Sequence, residues 1–72
     1  MNTIGAVIKR LRIESGMSQT EFIKKTGISN QASLSNIENG HKIPKEKTLR
    51  NMCKALNISF GWLHVLAIGD ST

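Results

Sequence analysis

The sequence predicts an all-α domain of five short helices, and three observations carry that reading. Apolar residues recur at spacings of three and four, no stretch alternates with a strand period over a useful length, and the single proline, Pro44, falls between candidate helices rather than inside one. A chain of 72 residues supplies a single core, and therefore one domain.

Taken in order, Ile4, Val7, Ile8 and Leu11 line one face of a first helix over residues 2–15, which Gly16 stops. Ser18 with Glu21 three residues on makes a capping box, and Met17 with Phe22 occupies the two positions of a hydrophobic staple, so a second helix begins there and runs to Thr26. Gly27 ends it, because a residue without a Cβ enters the left-handed conformation cheaply. After the turn at Ile28 and Ser29, Asn30 caps a third helix that turns only Leu34 and Ile37 inward and stops before Gly40. Its other positions, Gln31, Ala32, Ser33, Ser35, Asn36 and Asn39, are small or polar and uncharged, a composition suited to reading base edges.

Residues 41–44 form a loop, and Leu49, Met52, Cys53 and Leu56 give a clean stripe for a fourth helix closed by Asn57. Ser59 caps a fifth, and Ile58 with Leu63 repeats the staple. That last helix carries Phe60, Trp62, Leu63, Val65, Leu66 and Ile68, more apolar side chains than one face of so small a domain can bury. Some of them are expected to meet a partner. The domain spans residues 1–68, with 69–72 as a polar tail.

Ten Lys and Arg against five Asp and Glu give a formal charge of +5, which favours an anionic partner. No apolar run reaches the roughly 20 residues of a membrane span, and the start of the chain lacks the charged segment of a signal peptide, so a soluble cytoplasmic protein is expected. One cysteine, Cys53, forms no internal disulfide, and its inward position makes it a small hydrophobe. His41 and His64 lie far apart with no carboxylate or thiol at ligand spacing, so no metal is expected. No Ser, His and acid set, glycine-rich phosphate loop or carboxylate pair is present; neither an enzyme nor a cofactor is expected.

Two helices joined by the short turn from Gly27 to Ser29 are a helix-turn-helix candidate. The residues Ile4-Gly5, Ile8, Leu11-Arg12, Gly16-Met17-Ser18-Gln19, Thr26-Gly27-Ile28-Ser29, Leu34-Ser35, Ile37-Glu38-Asn39-Gly40, Pro44, Ala55-Leu56 and Trp62-Leu63 resemble the Cro and phage-repressor (XRE-type) helix-turn-helix family. The most specific pieces are the Ile-Glu-Asn-Gly string, the proline four residues after its glycine, and the Trp-Leu pair.

The resemblance implies a five-helix, lambda-repressor-like domain whose third helix enters the major groove of double-stranded DNA. Such a domain acts as a sequence-specific transcriptional regulator, of repressor or controller type, and binds a pseudo-palindromic operator as a homodimer. Carried over position by position, it implies base contacts from Gln31, Ala32, Ser35 and Asn36, and phosphate contacts from Gln19, Asn39, Lys42 and Lys45. It also implies a bridge between Arg12 and Glu38 that ties the first helix to the third. Because both charges follow inward apolar residues, they are expected to be partly desolvated.

Two departures from the family pattern stand out. A bulky Ile23 occupies a position that is commonly alanine, and Leu34 lies seven residues past Gly27, one more than usual. The longer turn is expected to let the third helix stand off and pack Leu34 on Ile23.

Lys42, Lys45, Lys47, Arg50 and Lys54 crowd the loop after the third helix and the fourth helix itself. Lys54 is expected to be a solvated charge, as are Lys9, Arg10, Lys24 and Lys25. Trp62 has two readings, core seal or interface; Phe60 and Leu63 are expected inward, and Trp62, Val65, Leu66 and Ile68 at a dimer contact. The rival to DNA binding is a protein-interaction module that uses the fifth helix to bind a separate protein regulator or a toxin.

Overall fold

The computed structural model describes residues 4–63 and 65. Four helices fall within that range: α1 (Ile4–Glu14), α2 (Gln19–Thr26), α3 (Gln31–Glu38) and α4 (Glu46–Leu56). A fifth, α5, opens at residues 60–63, where Ser59 takes the N-cap role and its hydroxyl accepts the Trp62 N–H at 3.0 Å. Residues 1–3, 64 and 66–72, on which the start of the first helix, His64, Leu66, Ile68 and the polar tail fall, lie outside the described residues.

The helix ends follow from local chemistry. Ser18 Oγ accepts the Glu21 N–H at 3.1 Å, while the Glu21 carboxylate accepts the Ser18 N–H at 3.2 Å, so two N-terminal donors of α2 are satisfied reciprocally. Asn30 caps α3 in the same way, accepting the Ser33 N–H at 2.8 Å. Gly27 closes α2 at φ 76°, and Asn57 closes α4 at φ 58°, the one described non-glycine residue in the left-handed region. The α3 helix ends slightly earlier than expected, at Glu38, with Asn39 as its cap and Gly40 beyond.

The core gathers Val7 and Ile8 of α1, Phe22 of α2, Leu34 and Ile37 of α3, Leu49, Met52, Cys53 and Leu56 of α4, and Leu63 of α5. In this arrangement α2 packs mainly on α4 and α1 on α3, with α2 and α3 joined by the turn between them. Ile23 is half-buried and packs against this core, and Leu34 is fully buried within it.

One crossing depends on the absence of a side chain. A Cβ at position 5 would collide with the Ile37 carbonyl oxygen, so α1 and α3 meet backbone to backbone only because residue 5 is glycine. That contact fixes how far α3 stands from the body of the domain, and hence how its outer face is presented.

Candidate nucleic-acid interface

The polar interior begins at Arg12, in the last turn of α1. Its Nε donates to Glu38 Oε2 at 2.7 Å and its Nη2 to Glu38 Oε1 at 3.2 Å, a two-pronged contact between side chains that are 9% and 1% exposed. The third nitrogen, Nη1, donates to the Met17 carbonyl at 2.8 Å, in the turn between α1 and α2. The pair therefore joins α1, the turn after it and the end of α3, and no described buried side-chain nitrogen or oxygen is left without a partner.

Gln19, held at the first position of α2 by the Ser18 cap, extends the network outward. Its Nε2 donates to Glu38 Oε1 at 3.1 Å and to Ser35 Oγ at 3.2 Å, while its Oε1 accepts the Gln31 Nε2 hydrogen at 2.7 Å. Gln31 is exposed at the first position of α3. Four side chains from α2 and α3 thus lock the two helices of the motif together, with the α1 guanidinium behind them.

This grouping brings several of the residues read from sequence together. Both Nε2 hydrogens of Gln19 point at acceptors within the protein. Ser35 is half-buried and turned toward Gln19, whereas Gln31, Ala32 and Asn36 are exposed along α3. Asn39, Lys42 and Lys45 are exposed beyond the helix end and are not part of the network. The Asn36 carbonyl accepts from the His41 and Lys42 main-chain N–H groups at 2.8 and 3.2 Å, which folds the loop carrying Lys42 back over the end of α3. Lys45 occupies the N-cap of α4 without a side-chain cap bond.

On α4 the basic residues divide. Arg50 lies 4.5 Å from the centroid of the Phe60 ring, and its Nε is 3.7 Å from Glu46 one turn earlier. Phe60 is accordingly half-buried beneath a cation rather than deep in the core, while Leu63 is fully buried. Trp62 and Val65 keep about half their surface in solvent, 53% and 55%. Ile13 and Ile43 are also exposed, a feature the apolar periodicity did not single out. Burial pushes the Cys53 thiol above its ordinary pKa, opposed by the nearby Arg50 charge. Among the described residues no group of His, Cys, Asp and Glu is placed to hold a metal ion, and no helix is long and apolar enough to cross a membrane.

A helix-turn-helix family model matches residues 8–63, most of the chain. A curated relative, the ImmF control region 10 kDa protein of Bacillus phage phi105, is 38% identical over 65 residues, covering 90% of this chain and 71% of the relative. Among solved structures, the clp gene regulator ClgR from Corynebacterium glutamicum superposes with a TM-score of 0.87 at 27% identity, over 93% of this chain and 70% of that one. The master regulator of biofilm formation SinR, solved in complex with DNA, superposes at 0.77 with 32% identity, over 86% of this chain and 98% of that one. The all-α, lambda-repressor-like fold is shared with these regulators. The chain therefore belongs to the helix-turn-helix family of DNA-binding transcription regulators, in its Cro and phage-repressor (XRE-type) branch.

Proposed function

We propose that this protein represses or controls transcription by occupying a pseudo-palindromic operator as a homodimer, with α3 in the major groove of each half-site. The observation that carries the reading is the outer face of α3, where uncharged Gln31, Ala32 and Asn36 stand exposed on a helix held rigidly from behind by the Arg12, Glu38 and Gln19 network. Gln31 and Asn36 carry amides able to meet adenine in two places, Ala32 offers a methyl for thymine, and Ser35 retains a hydroxyl hydrogen for a base edge. Asn39, Lys42 and Lys45 follow directly and supply donors and charge for phosphates. The SinR neighbour, solved in complex with DNA, supports DNA binding.

Homodimerisation through α5 rests on the exposure of Trp62 and Val65, an apolar pair that a second copy would cover along with Leu66 and Ile68. Val65→Glu is expected to give a monomer by sedimentation at micromolar concentration with an unchanged melting temperature. A wild-type protein already monomeric on DNA and in solution overturns the dimer.

The DNA reading is tested by selection from random duplexes followed by gel shift at several salt concentrations. A two-fold motif is expected, with log K falling against log salt at a slope near −7 for about eight neutralised phosphates. No selected motif and a slope near zero would instead leave α5 and its apolar pair as the working surface, that of a protein-interaction module.

A further inference from the structure

The outer side of α4 carries three exposed cations in a row. Lys47, Arg50 and Lys54 fall three and four residues apart, so they share one face over about 10 Å of helix. They border one groove of about 470 Å3 between α4 and the start of α5, whose apolar walls come from Cys53, Ile58 and Phe60. That volume lies within the range of clefts that take a ligand or a partner's side chains.

The middle cation is held in place. The Phe60 ring lies 4.5 Å from the Arg50 guanidinium, which keeps 57% of its side chain in solvent. Glu46 stands 3.7 Å from its Nε, an exposed surface pair beyond hydrogen-bonding reach. Arg50 thus presents a fixed fork of N–H donors, the geometry that suits an incoming carboxylate.

An apolar groove rimmed by three cations fits a partner that brings carboxylates in register with an apolar surface between them. A helix supplies that register, because acids at spacings of three and four repeat over the same length as the α4 row. Duplex DNA matches the charge but offers no apolar surface to cover Ile58 and Phe60, and α4 packs mainly on α2, while α3 packs mainly on α1. A second copy presenting the same face would bring three further cations with Glu46 beside them, leaving like charges opposed.

We propose that the groove between α4 and α5 is a docking site for an acidic amphipathic helix of a separate protein. Its carboxylates meet Lys47, Arg50 and Lys54, and its apolar side covers Ile58 and Phe60. This surface is separate from the outer face of α3 and does not depend on the DNA reading.

The test uses the full chain and a displayed library of helical peptides with Glu fixed at three positions of one face, spaced three and four residues apart, and the other positions randomised. A second library with Gln at the same three positions is the control. Binders are expected from the Glu library and none above background from the Gln library. Affinity of a selected peptide, read by fluorescence anisotropy, is expected to fall about tenfold in Lys47→Gln/Arg50→Gln/Lys54→Gln. It is expected to change by less than about twofold in Lys9→Gln/Lys24→Gln/Lys25→Gln, which removes the same charge from exposed positions of α1 and α2. If loss of Arg50 lowers the melting temperature, Lys47→Gln/Lys54→Gln decides, with an expected fall of about fivefold.

Equal yields from the two libraries overturn the proposal. So do equal losses in the two triple variants, the sign of attraction to net charge alone. A salt slope for duplex binding smaller by about three in the α4 variant would assign the row to phosphates and overturns it as well. The peptide measurements contain no DNA, so their outcome is distinct from any failure of operator binding.

Discussion

The two helices α3 and α4 are held in the domain by opposite means. The α4 helix buries Leu49, Met52, Cys53 and Leu56 on one continuous stripe against α2 and the rest of the core. The α3 helix buries only Leu34 and Ile37, with the carboxylate of Glu38, and it is fixed by the Arg12 pair, the Gln19 amide and the close approach at Gly5. Apolar burial is non-directional and tolerates small rotations, while a charge-assisted bond and a backbone contact define an angle. A helix that has to present particular side chains to a rigid groove gains more from the second kind of anchor.

The contrast can be broken most forcefully at Glu38. Glu38→Ala leaves the Arg12 guanidinium buried without its counter-charge and is expected to cost about 3–5 kcal/mol, seen as a large drop in melting temperature or loss of folding. A melting temperature equal to wild type would reduce the bridge to decoration on an apolar core. Met52→Ala probes the other anchor; Met52 is fully buried, and about 2–4 kcal/mol is expected from lost transfer energy and the cavity left behind, measured by chemical denaturation.

Gly5→Ala addresses geometry alone. Its methyl would meet the Ile37 carbonyl oxygen, so α1 and α3 must separate, at an expected cost of about 1–3 kcal/mol. DNA affinity is expected to fall further than stability accounts for, because α3 is displaced; equal losses in both would show that the crossing matters for folding only. The smallest effect belongs to α4. The folded thiol of Cys53 has a raised pKa, so the unfolded chain releases its proton first as pH rises, and stability falls above the ordinary thiol pKa. Cys53→Ala is expected to flatten that alkaline decline in melting temperature, while at neutral pH it costs only the lost packing.

Much of the fold was legible in the chain because its signals are local. The capping box at Ser18 and Glu21, the Asn30 cap, the left-handed closures at Gly27 and Asn57, and the α4 stripe each depend on residues within a turn or two of one another. The site was legible only in part. Resemblance placed Gln31, Ala32 and Asn36 on the helix whose outer face is exposed, but it did not show that the Gln19 amide bonds Glu38, Ser35 and Gln31 at once. Nor did periodicity show Phe60 beneath Arg50, since that contact joins two helices across a turn.

By itself, then, the sequence determined where the helices begin and end, which faces turn inward and that the partner should be anionic, since those follow from spacing, caps and net charge. Only the tertiary structure decided the direction of the hydrogen bonds from Arg12 to Gln31 and the tight crossing at Gly5. Both join residues on different helices, whose separation and polarity exist only once the helices have packed.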